Sequence, residues 1–169
     1  PAWMSEDLVL LEEQARRFIG DEFAPHLDRW HEKGMYPREV WTQAGQAGLL
    51  CASMPEEYGG SGGSFAHEAV INRALSLAGF DTFGAPLHSG IVAPYILHYG
   101  TEEQKKRWLP KLASGEMVGA IAMTEPGTGS DLQGVRTSAK KSGNGYVLNG
   151  SKTFITNGQH ANLIVVVAK

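Results

Sequence analysis

The chain has 169 residues, of which 15 are basic and 18 acidic, giving a formal net charge of −3 at pH 7. Hydrophobic residues make up 42%, which supports a packed core and excludes a disordered chain. No basic block suggests nucleic acid as a partner, and no apolar run approaches the roughly 20 residues that cross a bilayer. The six histidines lack zinc-ligand spacing, so no metal is expected. The single cysteine, Cys51, excludes an internal disulfide and has no activating neighbour that would make it a nucleophile.

Up to about residue 115 the apolar residues recur at the spacing of helices. Residues 8–19 place their apolar side chains on one face, and Pro25 is expected to end this helix. Pro37 stands at the position of a first helical residue, and the helix that it begins is expected to stop near Gly48.

Three further helices are predicted in the same part of the chain. Residues 65–78 form an apolar stripe that stops at Gly79, and residues 91–99 predict a mostly apolar, buried helix. Residues 101–104 have the spacing of a capping box, which opens a short helix that Pro110 is expected to close.

After residue 115 the pattern changes to that of strands. Residues 117–123 are an apolar run of strand length, and residues 136–141 and 146–148 flank a glycine-rich tetrapeptide typical of a hairpin. Residues 152–155 are short and β-branched, which predicts another strand.

Residues 163–168 are apolar at consecutive positions, which predicts a strand buried on both faces. No helix-length pattern separates the strands, so an antiparallel sheet or barrel is expected rather than a doubly wound parallel sheet. The predicted fold class is therefore α+β. Because a buried last strand needs neighbours and a covering layer, the chain is expected to be the front part of a larger protein.

The most informative motif follows the first predicted strand. Residues 124–130, here called the lip, combine a proline turn with two glycines one residue apart. Glycine has no Cβ, so backbone N–H groups in such a turn can closely approach an anionic or electron-rich ligand. Thr124, Thr128 and Ser130 add hydrogen-bond donors. The lip therefore predicts a cofactor site.

Other interpretations of these residues were weighed. Residues 145–153 nearly match a phosphate-binding loop, but Ser151 precedes Lys152 where the order should be reversed, and no helix follows. Residues 127–132 lack the third glycine of a dinucleotide fingerprint. A plain proline-glycine turn, in which Asp131 satisfies its own backbone, remains an alternative for the lip.

Four segments together resemble the acyl-CoA dehydrogenase family. They are residues 55–60, 99–110, 121–131 and 149–158, and they cover the chain in the family's order. Residues 37–41, 88–92 and 130–134 are most like the long-chain members.

The resemblance implies a three-part architecture: an N-terminal helical domain, a middle β-barrel-like domain and a C-terminal helical bundle. The chain would then contain the N-terminal all-α domain at residues 1–115 and the first part of the flavin-binding β-domain at residues 116–169, without the helical bundle. The family's catalytic glutamate belongs to the absent portion, so the catalytic residue is unknown here.

The resemblance also implies FAD as cofactor. The implied cofactor-binding residues are Ile121, Ala122, Met123, Thr124, Gly129, Ser130, Phe154, Ile155 and Thr156. Thr124 would lie near the pyrimidine edge of the flavin, Thr156 would donate a hydrogen bond at flavin N5, and Phe154 would pack against the isoalloxazine. Ser130 would bind a pyrophosphate or the CoA portion of the substrate.

The implied activity is the α,β-dehydrogenation of a fatty acyl-CoA to the trans-2-enoyl-CoA, with electrons passing to an electron-transfer flavoprotein. Residues 82–94 would form the floor of the acyl pocket. A homo-oligomer, a dimer or tetramer, is expected, in the cytoplasm of a bacterium or in the mitochondrial matrix of a eukaryote. Two alternatives remain: a non-catalytic subunit of a hetero-oligomeric dehydrogenase, and an acyl-CoA oxidase-like or nitroalkane oxidase-like flavoenzyme.

Overall fold

The computed structural model describes residues 3–169, and it begins with a long helical run. The run consists of α1 (Glu6–Phe18), a π-helical turn (Ile19–Phe23), a 3₁₀ turn (Ala24–His26) and α2 (Leu27–Lys33). The prediction that Pro25 ends the helix is wrong. Pro25 lies at the start of the 3₁₀ turn, and the chain passes through it without leaving helical conformation. Gly34, at φ 64°, ends the run instead.

The next two helices begin and end where the sequence predicts, within a residue or two. Pro37 is the N-cap of α3 (Arg38–Gln46), and Gly48 follows its end at φ 71°. Ser64 caps α4 (Phe65–Leu77), and Gly79 follows at φ 85°. Both glycines adopt the left-handed conformation that commonly ends helices.

A second helical run precedes the strands. It consists of α5 (Ala85–Leu87), a π-helical turn (His88–Val92) and α6 (Ala93–Tyr99), and α7 (Glu102–Ala113) follows. The predicted capping box of Thr101 and Gln104 is confirmed. Pro110, however, lies inside α7 and does not close it. Leu109 and Leu112 are fully buried on either side of it, and their burial offsets the one backbone hydrogen bond that proline removes.

Four strands follow: β1 (Gly119–Ala122), β2 (Ser138–Ser142), β3 (Gly145–Asn149) and β4 (Leu163–Val166). The antiparallel hairpin of β2 and β3 is confirmed, with Ser142 opposite Gly145. β1 and β4 instead form a parallel pair, with Gly119 opposite Leu163. The expected antiparallel pairing therefore holds for β2 and β3 but not for β1 and β4. The segment between β1 and β4 contains the lip and the hairpin and no long helix. It is long enough for the chain to cross over, so that β4 runs in the same direction as β1.

Two further strand predictions need correction. Residues 152–155 form no strand; they are an irregular segment beside the lip. β4 is not buried on both faces, because Leu163 and Val165 are half-buried whereas Ile164 and Val166 are 44% and 37% exposed. Consecutive apolar residues do not distinguish a doubly covered strand from one with an apolar outer face.

The core consists of two apolar clusters. The larger one joins α1, α3 and α4, with Trp41 and Phe83 at its centre and their rings 4.6 Å apart. The smaller one joins α6 and α7, and Leu163 and Val165 of β4 pack against it. The pair of β1 and β4 thus rests on the helical part, and the ends of β1 and β3 carry the candidate site.

Candidate functional site

The lip folds back against the segment that follows β3. The backbone carbonyl of Thr124 accepts a hydrogen bond from the N–H of Thr153 at 3.0 Å. Glu125 and Thr128 close the turn of the lip with two reciprocal backbone hydrogen bonds of 2.8 and 3.2 Å. The structure therefore brings Thr124 next to residues 153–156, so the two halves of the predicted site are adjacent.

The first group of predicted residues runs out of β1 into the lip. Ile121 and Ala122 are buried in the strand, and Met123 and Thr124 are half-buried at its end. Gly129 and Ser130 are exposed; a Cβ added to Gly129 would lie 4.0 Å from the Thr124 methyl group.

The second group divides between two directions. Phe154 is 92% exposed and has a positive φ of 57°, and Thr156 is also exposed. Ile155 instead lines a cavity of about 520 Å³ between this segment and the helical part, together with Trp30, Tyr36 and Asn157. Phe154 thus lies on an open surface next to Thr153, which bonds to Thr124, while Ile155 faces the helical part.

A buried carboxylate, which the sequence reading did not single out, fixes the lip. Glu125 is only 7% exposed. Its Oε2 accepts from the N–H of Arg136 at 2.7 Å, and its Oε1 accepts from the N–H and the hydroxyl of Thr137. The same Oε1 forms an ion pair with Lys152 Nζ at 2.9 Å, and Lys152 also donates to the carbonyl of Met123.

The surroundings of Glu125 make it a permanent anion. The hydrogen bond from the Thr137 hydroxyl, the backbone N–H of Arg136 and the ammonium of Lys152 lower its pKa to about 2. A carboxylate held so strongly in its ionised form is a poor proton acceptor at neutral pH. Glu125 therefore serves to hold Met123, residue 136 and Lys152 together, and it is not a candidate catalytic base.

Two buried titratable groups of the helical part, His88 and Cys51, are uncharged at neutral pH. Burial lowers the pKa of His88 to about 4, so this histidine is neutral at physiological pH. Burial raises the pKa of the Cys51 thiol to about 12, which agrees with the expectation that it is not a nucleophile. Among residues 3–169, no cluster of three or more His, Cys, Asp and Glu side chains could hold a metal ion. Nor, within the described part of the chain, is any helix long and apolar enough to cross a membrane.

The residues around Phe154 can bind a flat ring system that has polar edges. Phe154 presents an apolar ring to solvent beside the hydroxyl-bearing residues Thr124 and Thr156. A flat ring system with an apolar face and hydrogen-bonding edges can pack on Phe154 and still reach polar groups. An isoalloxazine has this character, so the residues present fit a flavin.

Comparisons with known proteins agree on the family. Residues 5–116 match the family model "Acyl-CoA dehydrogenase, N-terminal domain", and residues 120–169 match "Acyl-CoA dehydrogenase, middle domain". The chain belongs to the acyl-CoA dehydrogenase family, as its motifs predict.

Individual relatives support this membership. The chain is 48% identical to the mitochondrial long-chain specific acyl-CoA dehydrogenase of Mus musculus, over 97% of this chain and 38% of the relative. An acyl-CoA dehydrogenase structure from Geobacillus kaustophilus superimposes with a TM-score of 0.95 at 48% identity, covering 99% of this chain and 44% of that one.

A glutaryl-CoA dehydrogenase of Mycobacterium smegmatis in complex with FADH2 superimposes with a TM-score of 0.92 at 32% identity, covering 98% of this chain and 43% of that one. The chain thus spans about two fifths of the length of these relatives. Relatives that differ in substrate share the fold, which therefore does not define the acyl group.

Proposed function

We propose that the chain forms the N-terminal helical domain (residues 1–115) and the first part of the middle domain (residues 116–169) of an FAD-dependent acyl-CoA dehydrogenase. The enzyme removes two hydrogens from the Cα–Cβ bond of a fatty acyl-CoA and gives the trans-2-enoyl-CoA. The contact between Thr124 and Thr153, which places the lip beside Phe154 and Thr156, is the observation that carries this proposal.

FAD, when bound, would supply the acceptor for the hydride that leaves the β-carbon. The residues of this chain would bind and orient it. Phe154 would pack on the isoalloxazine, Thr124 would bind near its pyrimidine edge, and Thr156 would donate a hydrogen bond at N5. Ser130, in the exposed part of the lip, binds a pyrophosphate or the CoA portion of the substrate, and the buried Glu125–Lys152 pair keeps the lip in place.

The proton at the α-carbon needs a base, and residues 3–169 offer no acid that we assign to this role. Glu125 is held as an anion by its donors, and its oxygens already accept four hydrogen bonds. We propose that the base is a glutamate in the C-terminal portion of the full-length protein, as the family resemblance implies, so these 169 residues alone are expected to turn over no substrate.

A long acyl chain is the proposed substrate class. The 48% identity to a long-chain relative supports it, and so do the small residues of segment 82–94, Gly84, Ala85, Ser89 and Gly90. Electrons pass to an electron-transfer flavoprotein, and the enzyme is a homo-oligomer. If the source is eukaryotic, the mitochondrial matrix is the proposed location, since the name of the mouse relative includes the word mitochondrial.

The test is to purify the full-length protein, record its visible spectrum and add acyl-CoA thioesters of increasing chain length without oxygen. We expect a yellow protein that is bleached by long-chain acyl-CoA. A colourless protein that does not respond to added FAD contradicts the proposal. A yellow protein that no acyl-CoA bleaches identifies a non-catalytic subunit, and rapid reoxidation of the bleached protein by oxygen identifies an oxidase.

A substitution in residues 82–94, the proposed wall of the acyl pocket, tests the assignment of this segment. Gly90→Trp introduces an indole into segment 82–94 and should lower kcat/KM for long acyl chains more than for short ones. An equal loss for both lengths would refute the assignment of this segment.

A further inference from the structure

One side chain joins the candidate flavin segment to the helical part. Asn157 follows Thr156 directly, and its Nδ2 donates to the carbonyl of Gly84 at 3.0 Å and to the carbonyl of Gly119 at 3.1 Å. Gly84 immediately precedes α5, and Gly119 begins β1. Both N–H bonds of the amide are therefore used, and each contacts a different element.

The backbone of Asn157 is shaped for this role. Its φ of 65° lies in the left-handed region, which asparagine tolerates better than most residues. Its carbonyl accepts hydrogen bonds from the N–H groups of His160 and Ala161 at 2.9 and 2.8 Å. The side chain thus starts from a closed turn, and its direction is fixed.

The opposite wall approaches the Asn157 amide closely at Gly84. A Cβ added to Gly84 would lie 2.0 Å from Asn157 Oδ1. This distance is far below van der Waals contact, so any larger residue at position 84 displaces the amide of Asn157. The two positions are a matched pair.

We propose that Asn157 is a positioning residue that sets Thr156 and the acyl-pocket wall at Gly84 in a fixed relation to each other. This inference rests on the proposed function, in which Thr156 donates at the flavin edge and residues 82–94 line the acyl chain. Asn157 bonds to the wall and is the chain neighbour of the donor. It thereby sets the distance between the acyl group and the flavin.

The segment has a second anchor, which makes the inference testable. Arg38 Nη1 donates to the carbonyl of His160 at 3.0 Å, and its guanidinium also bonds to Asn162 Oδ1. Loss of the Asn157 amide therefore leaves residues 158–162 attached to α3. We expect variants at position 157 to fold.

Two variants of the full-length protein isolate the amide. Asn157→Gly keeps the left-handed backbone and removes both hydrogen bonds. Asn157→Asp keeps the size and turns a carboxylate toward two carbonyls, with Asn144→Asp in the exposed hairpin turn as the matched charge control. Both 157 variants should slow flavin reduction by saturating long-chain acyl-CoA about tenfold or more, while the control reduces at the parent rate.

A double-mutant cycle distinguishes positioning from general damage. If Asn157 acts through Thr156, then Thr156→Val combined with Asn157→Gly reduces no more slowly than the slower single variant, within about twofold. Rate losses that simply multiply would overturn the inference.

Hydrogen exchange of the protein stripped of flavin supplies a readout that does not depend on catalysis. Asn157→Gly should speed exchange about tenfold both in residues 155–160 and in residues 84–88. Gly84→Ala should do the same from the opposite side, whereas Gly20→Ala, where an added Cβ has no neighbour within 4 Å, should not. Faster exchange in residues 155–160 alone contradicts the inference. A protein that binds no flavin but shows the coupled exchange contradicts only the proposed function.

Discussion

At the scale of single residues, two left-handed glycines show how local conformation and packing can be separated. Gly48 and Gly115 have nearly the same φ, 71° and 73°. A Cβ on Gly48 would have no neighbour within 4 Å, whereas one on Gly115 would lie 2.0 Å from the carbonyl oxygen of Trp41. Gly115 also ends the turn between α7 and the strands. The two glycines have the same backbone conformation but differ in the free space around a possible side chain.

We predict that the two alanine variants differ in stability. Gly48→Ala should lower the free energy of unfolding by about 1–2 kcal/mol, which is the usual strain of a left-handed alanine. Gly115→Ala should lower the free energy of unfolding further, because the backbone of α3 at Trp41 must move to accommodate the methyl group. Urea unfolding followed by circular dichroism measures both. Equal losses would mean that the backbone around Trp41 adjusts freely.

The sequence allowed only part of the structure of the lip to be predicted. Glycine, proline and hydroxyl side chains have local signatures, so the lip and its turn could be predicted from residues 124–130. The pairing of Glu125 with Lys152 has no such signature. The two lie 27 positions apart in separate loops, and only folding brings them together. Opposite charges inside two motifs of one predicted site were the available hint.

At the scale of elements, His88 joins three pieces of secondary structure. It lies in the π-helical turn between α5 and α6 and is fully buried. Its Nδ1 accepts the N–H of Gly119 at 3.0 Å in β1. Its Nε2 therefore carries the proton and donates to the carbonyl of Leu112 at 2.9 Å in α7. The neutral ring satisfies both partners, and a second proton would break the bond to β1.

This arrangement predicts acid sensitivity. The folded pKa of about 4 lies below the ordinary value of 6.5, so the unfolded chain binds the proton first as pH falls. The contribution of neutral His88 to the free energy of unfolding is complete above pH 6.5. It declines toward pH 4, by up to roughly 3 kcal/mol. His88→Gln, which keeps an acceptor and a donor but does not titrate, should be less stable at pH 7.5 and show a flatter profile. Parallel profiles for the two proteins would contradict this.

Helices were more predictable than strands for a physical reason. Caps and stop signals act within a few residues, so the starts of α3 and α7 follow from Pro37 and Thr101, and the end of α4 follows from Gly79. The prediction that Pro25 and Pro110 end helices was wrong. At Pro25 a 3₁₀ turn absorbs the ring, and at Pro110 burial of the flanking leucines outweighs one lost hydrogen bond.

At the scale of the whole molecule, one arginine connects α3 to the β part. The guanidinium of Arg38 bonds to the carbonyls of Glu116 and His160 and to the side-chain oxygen of Asn162. That oxygen also accepts the N–H of Val118 at 3.0 Å, just before β1. The planar fork of arginine can serve several acceptors at once, which a lysine ammonium on its flexible stem cannot do in the same geometry.

We therefore predict that Arg38→Lys weakens the contact between α3 and the β part without unfolding the helices. Amide exchange at residues 117–119 and 158–163 should become about tenfold faster, equivalent to about 1.4 kcal/mol of lost local protection. Arg29→Lys on the exposed face of α2 is the matched control. Unchanged exchange at residues 158–163 would place the main anchor elsewhere.

The direction of β4 shows the limit of sequence reasoning at this scale. The run of consecutive apolar residues located the strand near its observed position, but pairing is a long-range property that the residues of one strand do not contain. The parallel pair of β1 and β4 arises because the intervening chain folds into a hairpin and the lip. The family resemblance supplied the architecture that single segments could not, and the matches to residues 5–116 and 120–169 confirm that membership.

The burial of Cys51 has a practical consequence. Only its thiolate reacts with alkylating reagents, and the native protein keeps this thiol protonated and shielded from solvent. Cys51 is the one cysteine of these 169 residues, so alkylation of the peptide that contains it records opening of one place in the helical part. Mass spectrometry of that peptide reads each such event as a single added mass.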